Sequence, residues 1–212
     1  REPSLYNTLL GAMACNMERL NDLFHYTGFS RAKISVYLKN LMELGIVNKV
    51  YSHETANTSD VQKGLYRIQV PSLSFYYRFI YNNLSDLYSM SGEDFYKKHI
   101  EESLSSVVES RYRDICAESL SNDYDEVGEW VGKNGSIDIV AYNSQGDVCV
   151  GACSYQRTFT KEDFEWLVFS AQKAYIKPKE YILFSEEGFD DDIALLEGDA
   201  IIKFKSIDQS MR

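Results

Sequence analysis

The chain has 212 residues, 44% hydrophobic and 14% aromatic, with 12 glycines and three prolines, a composition that builds one or two packed domains and excludes disordered or low-complexity chains. Its net charge of −10 is uneven, +2 over residues 1–70 and −12 over the remainder, so a nucleic-acid surface fits only the first third. Cys15, Cys116, Cys149 and Cys153 form neither a CxxC pair nor a Cys/His cluster, and no apolar run approaches the roughly 18 residues that span a bilayer, which excludes a zinc finger and a transmembrane helix.

Leu5, Leu9, Leu10, Met13 and Ala14 recur at helical spacing, predicting a first helix from Leu5 to Cys15 that ends near Asn16. A second helix is expected from Met17 to Tyr26. Thr27-Gly28 then breaks the chain, Phe29 is placed as a hydrophobic staple, and Ser30 is a good N-cap for a third helix from Arg31 to Leu44, closed by Gly45. Three short helices with a tight glycine turn outline a helix-turn-helix. The segments 46–51 and 64–68 read as strands around a polar loop, Ser52 to Lys63, and supply a wing. On the third helix Ile34, Leu38, Leu41 and Met42 share the inward face, leaving Ser30, Arg31, Ser35 and Lys39 as DNA-binding candidates. Double-stranded DNA in the major groove and a docked protein both remain open as ligands.

Residues 71–89 form an aromatic helix with Pro71 in its first turn, expected to bridge two domains, and its rings are expected to pack rather than to stack bases. A helix or helical pair follows over 92–119. The pattern then changes to strands at Val127–Trp130, Ser136–Tyr142 and Val148–Tyr155, separated by turns at Lys133-Asn134-Gly135 and at 143–146. A helix from Lys161 to Tyr175 and a strand from Glu180 to Phe184 complete an α-β-β-β-α-β order, which a short helix at Asp191–Leu196 and a strand from Ala200 to Phe204 are expected to close. The fold class is therefore α+β, with a winged helix-turn-helix over 1–70, a helical linker over 71–105 and a mixed α/β domain over 106–212.

The common catalytic motifs are absent: there is no phosphate loop, GxSxG elbow, HExxH or GxGxxG, and His25, His53 and His99 are dispersed. Cys153 has no evident base partner and reads as a structural thiol. Asp138, alone at the centre of the apolar strand Ser136–Ala141, is the one informative acid.

The α-β-β-β-α-β order with a strand-borne Asp resembles the PD-(D/E)XK (restriction-endonuclease-like) nuclease fold, in which that Asp and a Glu on the next strand hold Mg²⁺ and a Lys two residues later assists the attacking water. More specifically, Ser30–Val47, Tyr66–Phe79, Gly128–Gly132 and Ser136–Ala141 stand in the same order as in the C-terminal region of the archaeal-type DEXX-box AAA ATPase family, which the chain resembles over nearly its whole length. The resemblance implies a winged helix joined to a nuclease-like domain of unknown function. Residue by residue it also implies loss of catalysis: Asp138 matches the metal-binding Asp, but Ala152 and Ser154 stand where Glu and Lys are expected. Tyr112-Arg113 stands where a Phe-Glu pair is expected, with Asp114 or Glu118 as substitutes.

The first residue is Arg1, so the chain is expected to begin inside a longer product, and ATP and Mg²⁺ are expected only in an upstream ATPase domain. The expectation is a DNA- or partner-binding region with no cofactor, metal or catalytic residue of its own, in the cytoplasm and away from membranes. Its partners would be that ATPase domain, duplex DNA and a protein. The rivals are a Mg²⁺-dependent nuclease with relocated carboxylates, combining Asp138 with Glu118, Glu129 or Asp114, and a winged-helix transcriptional regulator.

Overall fold

The computed structural model describes residues 2–50, 64–132, 135–196 and 201–206. The predicted wing loop, His53, the Lys133-Asn134 turn and Ala200 lie outside the described residues. The rest form two compact units divided at Ser105/Ser106.

The first unit opens with α1 (Pro3–Ala14), α2 (Leu20–Thr27) and α3 (Arg31–Glu43), followed by β1 (Val47–Val50) and β2 (Leu65–Ile68) in an antiparallel pair. Leu9, Leu10 and Met13 of α1, Leu23 of α2 and Ile34, Leu38 and Leu41 of α3 close one core with Val47, Tyr66 and Ile68 of the hairpin. Met42 packs at its edge. Ser30 caps α3 by accepting the Lys33 N–H at 3.3 Å, and Gly45 ends it at φ +67°, where an L side chain would be strained. A third strand position joins the hairpin between α1 and α2: Arg19 bridges Leu65, and the Tyr66 N–H donates to the Glu18 carbonyl at 2.7 Å.

Residues 71–105, expected as a linker, group with this unit. The predicted single helix over 71–89 is subdivided: α4 (Pro71–Phe75) widens into a π-turn at Tyr76–Ile80, tightens to a 3₁₀ turn at Tyr81–Asn83 and resumes as α5 (Leu84–Ser89). The widened turn coincides with crowded rings: Tyr76, Tyr77 and Tyr81 pack at centroid distances of 5.3, 5.2 and 6.1 Å, and the Tyr77 hydroxyl donates to Asn7 Oδ1 at 2.8 Å. α6 (Gly92–His99) and α7 (Glu101–Glu118) follow.

The second unit is built on a five-stranded sheet in the order β3-β4-β5-β6-β7: β3 (Glu126–Val131), β4 (Ser136–Tyr142), β5 (Val148–Ser154), β6 (Glu180–Ser185) and β7 (Ile202–Lys205). β3, β4 and β5 form an antiparallel meander; β6 runs parallel to β5 and β7 parallel to β6. The crossover from β5 to β6 carries α8 (Lys161–Lys173), and a short α9 (Asp191–Ala194) precedes β7. Alternation along the strands gives each sheet face its own core. Val150 and Leu183 pack with Leu167 and Ala171 of α8, whereas Cys149, Cys153, Ile182 and Phe184 pack with Tyr112 and Cys116 of α7. Gly151 sits where strands crowd: a Cβ there would come within 3.1 Å of the Ile182 carbonyl and 3.2 Å of Ile139. Cys116, Cys149 and Cys153 are buried, whereas Cys15, which caps the end of α1, is exposed. No helix among the described residues is long and apolar enough to cross a membrane.

Candidate functional site

Two places bring the candidate residues together, one in each unit. In the first, burial of Ile34, Leu38 and Leu41 forces the opposite face of α3 outward, so Arg31, Ser35 and Lys39 are all exposed. Arg31 is held rather than free: its Nε and Nη2 donate to Asn21 Oδ1 at 3.0 and 2.9 Å, and its guanidinium lies 4.1 Å over the Phe24 ring. That fixes its direction while leaving further N–H donors for a ligand. Lys33 rests 5.1 Å from the Phe29 ring, and Lys39 meets Glu43 at 3.9 Å with both side chains well solvated, a pairing too weak to occupy the lysine. Val36 stands exposed among them. Ser30 serves as the helix cap, its hydroxyl already engaged by a backbone N–H.

The second place surrounds Asp138. Between the pairs Gly128↔Val140 and Trp130↔Ile137, β3 contributes Glu129 alone whereas β4 contributes both Asp138 and Ile139. This β-bulge breaks the alternation: Ile137 and Val140 pack toward α8 and Ile139 toward α7. Asp138 meets α7, where its Oδ1 lies 3.4 Å from Nη1 of Arg113, while its Oδ2 accepts the Cys153 N–H at 3.0 Å. Each carboxylate oxygen therefore has one partner, and on Oδ1 it is a guanidinium where the nuclease resemblance expects a metal ion. Sequence reasoning named Arg113 only as standing where the resemblance expects an acid; its pairing with Asp138 is what it missed.

Ala152 packs toward α8, and the Ser154 hydroxyl donates to the Arg157 carbonyl at 2.9 Å. Asp114, a possible substitute ligand, pairs with Arg111 at 2.8 Å, and Glu118 is exposed. Among the described residues no three His, Cys, Asp or Glu side chains converge on a point that would hold a metal ion. The residues present thus do not fit the Mg²⁺ that the nuclease resemblance implies, since a hard divalent cation needs several oxygen ligands and more than one carboxylate. Beside the pair lie Tyr112, Cys116 and Cys153, all buried. A hydrogen bond from Cys116 and burial push the Cys153 thiol well above its ordinary value, and burial raises the Tyr112 phenol, so neither is poised as a nucleophile or base. An open cleft of about 350 Å³ lies among Tyr124, Glu180, Lys203 and Lys205, but its lysines already pair, Lys203 with Glu180 and Lys205 with Asp123.

Residues 76–166, from the π-turn into α8 and including the Arg113–Asp138 pair, match a family described as archaeal and bacterial proteins of unknown function, DUF234. The chain is similar to the uncharacterized protein MJECL04 of Methanocaldococcus jannaschii, with 28% identity over 150 residues, 67% of this chain. It spans only 33% of the length of that relative. Among solved structures it is similar to a repair endonuclease from Pyrococcus abyssi, at 15% identity, a TM-score of 0.33 and 44% coverage of each chain; nothing about activity follows from a likeness of that size.

Proposed function

We propose that the first unit is a winged helix-turn-helix that binds duplex DNA through α3, and that the second is a nuclease-like fold without a metal centre, retained for docking. The observation that carries the DNA reading is the build of the first unit. Three helices are followed by a hairpin with an added strand position at Arg19, and α3 turns Arg31, Ser35 and Lys39 outward beside the exposed Val36. Those side chains suit a duplex: cations for phosphates, a hydroxyl for either base edge and a methyl-bearing side chain for thymine. The nuclease-like reading draws on the antiparallel meander followed by a parallel strand. Its loss of catalysis draws on the Arg113–Asp138 pair standing where metal ligands are required. A larger ATPase, with ATP and Mg²⁺ handled upstream, is supported by the sequence resemblance alone. Three buried free thiols suit a reducing compartment such as the cytoplasm.

The test is a titration with mixed-sequence duplex DNA at low and moderate salt with Mg²⁺ present, following anisotropy and strand cleavage together. Salt-dependent binding without cleavage, weakened by Arg31→Ala/Lys39→Ala, is expected. Cleavage that Asp138→Asn abolishes would restore the nuclease reading, and absence of DNA binding would leave the first unit as a protein-docking module.

A further inference from the structure

The outward face of α8 carries two aromatic side chains that the core does not use. Leu167, Ser170 and Ala171 turn toward the sheet, while Trp166 and Phe169, three residues apart, lie on the opposite side with 53% and 39% of their surfaces exposed. Their rings stack on each other at 5.5 Å and 30°, and Lys173 lies 5.1 Å from the Phe169 ring. The helix ends on Tyr175, 93% exposed. A half-exposed Trp stacked on a neighbouring Phe is an uncommon use of apolar surface, and aromatic side chains are enriched where proteins meet.

The charge around this ledge selects its occupant. Residues 106–212 hold 11 basic and 21 acidic side chains, so this part carries a net −10, the whole net charge of the chain. Glu162 and Glu165, on the same outward face and next to Trp166, are exposed and form no ion pair among the described residues. Asp191 and Asp192 add further exposed acid on α9, the helix whose N-cap, Asp190, accepts the Lys161 N–H at 3.2 Å at the start of α8. Lys161 and Lys173 mark the two ends of the helix, and between them Glu162 and Glu165 beside Trp166 complement a cation better than a phosphate.

We propose that the Trp166–Phe169 ledge docks a polypeptide segment that places an apolar side chain against the stacked rings and Lys or Arg side chains against Glu162 and Glu165, in the manner of a basic amphipathic helix. The inference stands apart from the DNA reading of α3, because it concerns the opposite unit and a ligand of opposite charge.

The test uses the whole chain and two synthetic amphipathic peptides, one of Leu and Lys and one of Leu and Glu. The two tryptophans give the readout: Trp130 is 3% exposed and Trp166 faces solvent, so docking on the ledge moves the emission of Trp166 to shorter wavelength. The Leu/Lys peptide is expected to bind with that shift and the Leu/Glu peptide to bind at least about tenfold more weakly. Phe169→Ala should weaken the Leu/Lys peptide by about tenfold or more, and Glu162→Lys/Glu165→Lys should reverse the preference between the peptides. These are surface changes, and an unchanged melting temperature checks that each variant folds. Unchanged binding to Phe169→Ala, retained preference in the charge-reversed variant, or no binding of the Leu/Lys peptide would each overturn the proposal. Duplex DNA that competes with the peptide and shifts the Trp166 emission would overturn it in favour of a nucleic-acid surface.

Discussion

Helices α3 and α8 are built to one plan and carry opposite chemistry. Each has 13 residues, starts on a hydroxyl N-cap, Ser30 or Thr160, and buries three positions. Each ends on a left-handed residue whose N–H and that of the next residue turn back to the last carbonyls: Gly45 and Ile46 reach Met42 and Leu41, Tyr175 and Ile176 reach Gln172 and Ala171. Outward, α3 shows Arg31, Ser35 and Lys39, whereas α8 shows Glu162, Glu165, Trp166 and Phe169. Packing accounts for the inner face of both helices and leaves the outer one unconstrained, so the two helices differ where the core makes no demand.

The largest effects should be shared. Leu38→Ala and Leu167→Ala each truncate a side chain no more than 2% exposed, and each should destabilise its unit by about 2–5 kcal/mol in urea unfolding. A much smaller loss at one of them would show that the two cores are not packed alike.

The N-caps should then separate the helices. Thr160 and Asp163 make a full capping box, and Asp163 also takes both Arg157 nitrogens at 2.6 and 2.8 Å; Ser30 accepts one N–H with no reciprocal partner. Asp163→Ala is expected to cost about 1–2 kcal/mol and Ser30→Ala about 0.5–1 kcal/mol. Burial pushes the Asp163 carboxyl upward, but its bonds from Arg157 and Thr160 outweigh burial and hold it below the ordinary carboxylate range. Its stabilisation is therefore present above an unfolded value of about 3.9 and lost as pH falls through the lower folded value, so the gap between wild type and Asp163→Ala should narrow below about pH 4. No narrowing would place the effect in packing.

At the C-terminal turns the effects should be about 1 kcal/mol or less and differ in sign. Gly45→Ala puts a Cβ on a residue at φ +67° and should cost about 1 kcal/mol. Tyr175→Gly relieves a bulky residue at φ +56° and should stabilise by a few tenths to about 1 kcal/mol in thermal unfolding. A loss of stability there would mean that the exposed tyrosine makes a contact worth more than its strain.

Periodicity made most of this fold legible. Leu9, Leu23, Leu38 and Leu167 stand at core positions because a 3.6-residue repeat leaves them no other face, and the meander was readable from apolar runs broken by Asn and Gly turns. The π-turn at Tyr76–Ile80 was not, because the same aromatic run satisfies an ordinary helical pattern and only ring packing separates the two. At the candidate sites, the exposure of Arg31, Ser35 and Lys39 followed from the burial of their neighbours. The Arg31–Asn21 bond and the Arg113–Asp138 pair did not, since both join residues from separate elements, and beside the second a bulge in β4 puts two successive residues, Asp138 and Ile139, on the α7 side. The Trp166–Phe169 ledge was hidden inside a helix whose apolar content reads entirely as core.

The bulge at Asp138 acts as a phase shift in the strand. Residues before and after it keep their own two-residue rhythm, so Ile137 and Val140 stay locked in one core and Ile139 and Ala141 in the other. The surplus position belongs to neither rhythm. The residue that fills it changes what meets α7, while the assignment of Ile137, Ile139, Val140 and Ala141 to the two cores is set by the strand itself. The site stays tied to the sheet through one bond, the Cys153 N–H of β5 that the same carboxylate accepts, so its chemistry and the stability of the strand edge share a single hydrogen bond.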